Sequence, residues 1–234
     1  LPKQVFMSGN EAIAAGAIKA GCKFISAYPM TPATSVFTTI AAQEKRFNLI
    51  AKHTEDEIAA VIMAIGASYA GLRAMTATSG GGFALMCEGI GLAAQTETPL
   101  VVVEAQRPGP ATGMATHSGQ GDARFVMHAS TDEFPRIIMT PGTVEECYHL
   151  SQEAFNLAEK YQLVVIILTD KYLGESYKSV AENDLINIPV DRGSLLIAEA
   201  DAEKVGDHYL RYKLTSDGIS PRTIPGLKSG MHVV

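Results

Sequence analysis

Short runs of Val, Ile, Leu and Ala alternate along this chain with longer stretches whose apolar residues recur every three or four positions. The short runs are Lys23–Ala27, Asn48–Ala51, Leu72–Thr76, Leu100–Glu104, Arg136–Met139 and Leu163–Thr169, and they have the length and composition of strands. Several are apolar on both faces, as in a parallel sheet covered on each side. The longer stretches, Asn10–Lys19, Ala33–Glu44, Glu57–Ala70, Phe83–Ala94 and Val144–Lys160, read as helices. This alternation predicts an α/β fold: a doubly wound, mostly parallel sheet with helices on both faces. Ligands of such sheets sit beyond the carboxyl ends of the strands, which directs attention to Tyr28–Pro32, Thr78–Gly82 and Gln106–Gln120.

The pattern breaks down after Asp170. Lys171–Asn183 reads as a connection, and residues 184–234 are irregular and turn-rich, with Asp191-Arg192-Gly193 and Ser216–Arg222 as examples. The predicted organisation is an α/β domain over 1–183 and an extension or linker over 184–234, leading towards a domain that this chain lacks.

The chain has 234 residues, 47% hydrophobic, which is enough for one large core. A net charge of −6 without a basic patch argues against nucleic acid as a partner. Cys22, Cys87 and Cys147 form no C-x-x-C, so neither an iron–sulfur cluster nor a zinc site is expected within the chain. Three separated thiols also argue against a disulfide framework and suit a reducing cytoplasm. No apolar span reaches the ~18 residues of a membrane helix.

Four segments carry candidate chemistry. In Tyr28-Pro29-Met30-Thr31-Pro32, Thr31 and Pro32 suit a helix start, while the Thr31 hydroxyl and nearby amides could also bind an anionic ligand. Glu55-Asp56-Glu57 precedes a helix with no charged residue from Ile58 to Ala67, which predicts a helix buried nearly all round. Acids suit a first helical turn, yet a carboxylate on the rim of a buried helix is desolvated and needs a partner. Thr78-Ser79-Gly80-Gly81-Gly82 is a strand-to-helix turn open to close approach by a ligand or by backbone. As a dinucleotide fingerprint, with Glu104 as its ribose acid, it is incomplete, because the third glycine position holds Leu85. A nucleotide-binding module built on Gly80–Gly82 is therefore an alternative reading. Arg107 follows a buried strand, where a guanidinium can clamp a carboxylate or pair with a surface acid. His53, His117 and His128 lack metal-ligand spacing, and no metal is expected on this chain.

Read in order, Gly9–Ala14, Tyr28–Pro32, Glu55–Ala60, Thr76–Phe83, Gln106–Gly113 and Tyr212–Arg222 resemble the α subunit of the 2-oxoacid:ferredoxin oxidoreductases. The likeness is to its pyrimidine-binding domain for thiamine diphosphate, and the 2-oxoglutarate-type subunit is most similar. The resemblance implies oxidative decarboxylation of a 2-oxoacid with coenzyme A to acyl-coenzyme A, electrons passing to ferredoxin. It implies that Glu57 holds the aminopyrimidine nitrogen and favours the imino tautomer that activates the thiazolium carbon. It places Thr31 and Arg107 on the keto and carboxylate oxygens of the substrate, Thr112 beside the substrate, and Pro29, Thr78, Ser79 and Gly80 beside the cofactor. Met30, Gly81, Pro108 and Ala111 depart from the usual family residues without removing any of these groups. The chain has no Gly-Asp-Gly followed by Asn for diphosphate and magnesium, and no clustered cysteines. The resemblance thus implies half a site, with Mg²⁺ and an iron–sulfur cluster on a β subunit. Another thiamine diphosphate-dependent decarboxylase is a further alternative, against which the Tyr-Pro-x-Thr-Pro and Gln-Arg-x-Gly-Pro segments argue.

Overall fold

A computed structural model describes residues 3–203, 205 and 209–234. Its centre is a six-stranded sheet with every adjacent pair parallel. In chain order the elements are β1 (Gln4–Ser8), α1 (Gly9–Lys19), β2 (Phe24–Ala27), α2 (Thr34–Ala41), α3 (Glu44–Phe47), β3 (Ile50–His53), α4 (Glu57–Tyr69) and β4 (Ala74–Thr78). Then follow α5 (Gly80–Leu85), α6 (Cys87–Gln95), β5 (Leu100–Gln106), α7 (Ala123–His128), β6 (Arg136–Met139), α8 (Val144–Tyr161), β7 (Val164–Asp170), α9 (Lys171–Glu175) and β8 (Tyr177–Ala181).

Strand order in the sheet is β3-β2-β4-β5-β7-β6. The chain therefore winds outward from β2 to β3, then returns to place β4 on the other side of β2. The loops leaving β2 and β4 diverge there, and the crevice between them is where doubly wound sheets take ligands.

Period-two alternation divides the core into two layers. Val101, Val103, Val165 and Ile167 face α1, α2 and α8, packing with Ile13, Val36, Ile40 and Phe155. Leu100, Val102, Val164 and Ile166 face the other way, onto Ala60, Val61, Phe83, Met86 and Ile90 of α4, α5 and α6. Because β5 and β7 are buried on both faces, they read as unbroken apolar runs in the sequence.

The structure corrects several expectations. The predicted Ala33–Glu44 helix is two, and the predicted Phe83–Ala94 helix begins at Gly80 and breaks at Met86. Lys171–Asn183 is more than a connection, since β8 pairs antiparallel with β1, Val5 opposite Val180. β8 is largely exposed and β1 is exposed towards its start, so neither has the apolar run, buried on both faces, that marks β5 and β7. Helix α4 is not buried all round: Ile58, Ile62 and Met63 are 51%, 42% and 46% exposed, while Ala60, Val61 and Ala64 face inward. Thr31 is not an N-cap, because α2 starts at Thr34 and the Thr31–Pro32 peptide lies before it in the cis form.

Residues beyond 184 are tied to the amino ends of the central strands. Glu159 lies between Arg73 at 2.8 Å, Arg192 at 2.6 Å and Arg222 at 3.6 Å. The surplus guanidinium donors reach carbonyls: Arg73 gives to Ala20 and Asp191, Arg192 to Gly71, and Arg222 to Ser68. Burial holds Arg222 down to about 10 against the pull of Glu159. This fastening is at the far end of the sheet from the β2/β4 crevice. Replacing Glu159 by Gln strands buried guanidinium charge, so the variant is expected to lose roughly 3–5 kcal/mol in urea denaturation.

Candidate active site at the switch point

Three loops meet at the crevice, and each is held by side chains from another element. The Tyr28–Pro32 loop leaves β2 and is pinned from three sides. The Arg107 Nη1 donates to the Thr31 carbonyl at 2.6 Å, and the Asn10 amide donates to the Pro32 carbonyl at 2.8 Å. From β4, the Thr78 hydroxyl donates to the Met30 sulfur at 3.9 Å. Asn10 is wholly buried on α1. Its part in shaping this loop is a tertiary fact, though Gly9-Asn10-Glu11 stands out in the sequence.

The three acids before α4 divide by environment. Glu55 is exposed. Asp56 is exposed and caps the helix, its carboxylate accepting from the Ala59 N–H at 2.7 Å. Glu57 turns inward and is 3% exposed, with Oε1 buried and without a hydrogen-bond partner. Burial raises its carboxyl above the ordinary range; Asp56 adds to the rise, and the Arg107 charge opposes it.

Glycine makes room for this carboxyl. A Cβ on residue 82 would strike the Thr78 hydroxyl and stand 2.5 Å from Glu57 Oε1. A Cβ on residue 80 would stand 2.5 Å from Asp122 Oδ2. The glycines thus form the tight first turn of α5, against which side chains from α4 and the 107–122 loop close. Ser79 precedes them, buried, with its hydroxyl also unpartnered.

Arg107 is 8% exposed and lines a cavity of about 260 Å³ with Gly80, Gly81, Ala84, Ala111 and Asp122. A larger opening of about 620 Å³ runs between α6 and residues 130–134. It is lined by Cys87, Glu88 and Asp132, away from all these groups. The chemistry, not the size, marks the smaller cavity as the candidate.

The structure therefore brings together Thr31, Met30, Glu57, Thr78, Ser79, Gly80 and Arg107. Pro29 is half-buried on the same loop. Thr112 is exposed on the 107–122 loop. His53, His117 and His128 are exposed, His53 beside the rings of Tyr28 and Phe37. Glu104 is not placed as a ribose acid would be, since it is wholly buried inside β5.

Residues 15–197 match the family described as "Pyruvate flavodoxin/ferredoxin oxidoreductase, thiamine diP-bdg". The chain belongs to this family. Among curated oxidoreductase relatives, it is 45% identical over 186 residues to "2-oxoglutarate synthase subunit KorA" of Methanocaldococcus jannaschii, covering 80% of this chain and 51% of that protein. It is 39% identical over 239 residues to "2-oxoacid:ferredoxin oxidoreductase 1, subunit alpha" of Sulfurisphaera tokodaii, covering 96% of this chain and 37% of that one. A solved 2-oxoglutarate:ferredoxin oxidoreductase from Magnetococcus marinus, with 2-oxoglutarate, coenzyme A and succinyl-CoA bound, superposes with a TM-score of 0.92 at 38% identity. That superposition covers 99% of this chain and 39% of the solved one, so the chain spans about half or less of these relatives' lengths.

Within this oxidoreductase fold the glycine at 82 has a testable sign. Gly66, exposed on α4 with nothing within 4 Å of where a Cβ would stand, serves as its control. Gly66→Ala is expected to stabilise by about 0.5–1 kcal/mol through helix propensity. Gly82→Ala is expected to destabilise by about 1–3 kcal/mol through overpacking against Glu57. Thermal denaturation of both variants measures the difference.

Proposed function

We propose that this chain contributes the aminopyrimidine and substrate side of a thiamine diphosphate site in a 2-oxoacid:ferredoxin oxidoreductase, as part of its α subunit. The observation that carries the reading is the orphaned Glu57 Oε1, buried at the rim of the β2/β4 crevice with an Arg–Thr clamp beside it. The residues present fit the cofactor. A buried carboxyl with an unpartnered oxygen can hydrogen-bond a ring nitrogen, and burial raises its affinity for the proton that such a bond shares.

When bound, thiamine diphosphate supplies an acidic thiazolium carbon whose conjugate base attacks a 2-oxo group and accepts the electron pair that decarboxylation releases. The protein's share is placement and charge. Glu57 offers its carboxyl, whose proton affinity burial raises, to the pyrimidine ring nitrogen. Arg107 keeps guanidinium donors for a substrate carboxylate while Nη1 fixes the Thr31 carbonyl. Thr31 then presents its hydroxyl to the keto oxygen, with Thr112 on the neighbouring loop. Pro29, Thr78, Ser79 and Gly80 border the ring. A water-poor setting makes each contact stronger than it would be in bulk solvent.

A β subunit would supply Mg²⁺, the diphosphate cradle and an iron–sulfur cluster, with ferredoxin as electron acceptor and coenzyme A as acyl acceptor. Support comes from Ile58, Ile62 and Met63 of α4 and Leu85 of α5, apolar side chains that stand exposed on the helices next to the crevice. Co-purification with a neighbouring subunit, then a screen of 2-oxoacids with coenzyme A and ferredoxin or viologen, tests the assignment. Failure of every 2-oxoacid in the assembled protein would overturn it, and acceptor-independent turnover would favour a different thiamine decarboxylase.

Glu57→Gln keeps size and hydrogen bonding but cannot pass on a carboxyl proton. It is expected to leave assembly intact and to lower turnover by roughly 10²–10⁴-fold, read by steady-state kinetics. Arg107→Ala is expected to weaken 2-oxoacid use by about 1.5–3 kcal/mol, measured as kcat/KM across several 2-oxoacids.

A further inference from the structure

Glu104 is wholly buried near the carboxyl end of β5, with Thr78 of β4 and Leu168 of β7 as its strand neighbours. Neither of its carboxyl oxygens has a conventional donor. Its hydrogen-bonding neighbour is another acid, Asp122, whose Oδ2 is likewise buried and unpartnered. Two carboxylates in such contact cannot both hold a charge, whereas one proton between them turns repulsion into a charge-assisted hydrogen bond.

The location gives the pair a task. Asp122 closes the loop that begins at Arg107. Its N–H donates to Gln106 Oε1 at 3.0 Å, and Gln106 Nε2 donates to the Thr169 carbonyl at 3.3 Å. Gln120 Nε2 donates to Asp170 Oδ2 at 2.7 Å. The Asp122 carboxyl lies against Gly80 and borders the same cavity as Arg107.

We propose that Glu104 and Asp122 share one proton and form a latch, a positioning pair that holds the returning end of the 107–122 loop, and with it Arg107, at the mouth of the crevice. The latch stands on this chain's geometry alone; its effect on a 2-oxoacid rests on the function proposed above. Burial first, and the Asp122 charge second, push the Glu104 carboxyl up to about 9. Above that range the shared proton leaves, and two charges face each other in a dry setting.

The surrounding charges leave the pair to itself. Helix α5 presents Gly80 and contains no titratable side chain. From α4, Glu57 faces Gly82, and the Arg107 charge opposes the rise in its proton affinity that burial and Asp56 produce. From α7, Arg124 and His128 are exposed. The folded state holds a proton that an ordinary glutamate, at 4.5, releases. The stability from this group is therefore full below that value and lost as pH rises towards about 9.

Hydrogen–deuterium exchange of the assembled protein, corrected for intrinsic rates and followed across pH, tests the latch together with infrared spectroscopy of the carboxyl C=O stretch. In the native protein, opening of the 107–122 segment should increase by up to about tenfold per pH unit as pH rises from about 4.5 towards about 9, and level off above that. Glu104→Gln, whose amide donates at every pH, should keep the segment protected throughout and remove one protonated-carboxyl band. Glu104→Ala should open it at every pH. The KM for the 2-oxoacid should rise with pH in the native protein and stay flat in Glu104→Gln. The same pH dependence of exchange in the native protein and Glu104→Gln, or an unchanged infrared band, would overturn the proposal. Loss of the latch signals with normal 2-oxoacid turnover would spare the proposed function. Intact latch signals without turnover of any 2-oxoacid would spare the latch alone.

Discussion

The Glu57 carboxyl and helix α5 compete for one volume. Oε1 lies 2.5 Å from the place a Cβ on residue 82 would occupy, so the carboxyl is buried only because that residue has none. Burial without a partner is unfavourable for a charged acid, and it raises the proton affinity of this carboxyl. The packing of α5 on α4 and the raised proton affinity both depend on this close approach. Apolar packing behind it, from Val61 and Phe83, keeps α4 and α5 from relaxing apart.

The two ends of the sheet are built on opposite electrostatic plans. At the amino ends, Glu159 gathers three arginines whose remaining donors end on backbone carbonyls, which fastens the segment beyond residue 184. The buried carboxylate there has its ion-pair partners within the chain. At the carboxyl ends the matching is incomplete: Glu57 and Ser79 carry unpartnered oxygens, and Glu104 meets only another acid. Buried polar atoms are normally satisfied, so such a concentration at a topological switch point supports the ligand site proposed there.

Strands buried on both faces were plain in the sequence, because their apolar runs need no alternation to be recognised. β1 and β8 were not: neither is buried along its length, and their pairing joins residues 169 to 177 positions apart. The outward face of α4 was also hidden, since exposed Ile62 and buried Val61 are alike as letters. The glycine turn was legible as a place of close approach, but not that the approaching group is the Glu57 carboxyl. Glu104 illustrates the opposite error: its distance from Gly80–Gly82 suits a ribose acid, yet the strand register puts it inside the sheet beside Asp122.

The sequence by itself determined the α/β class, the loops that carry the chemistry and the oxidoreductase family. These follow from local periodicity and ordered motifs, which survive as patterns along one dimension. Only the tertiary structure decided which acid of Glu55-Asp56-Glu57 is desolvated, what anchors Thr31, and which carboxyls share a dry space. Those outcomes depend on strand order and on distances of a few ångströms between segments far apart in the chain, and both burial and proton affinity are set by neighbours rather than by residue type.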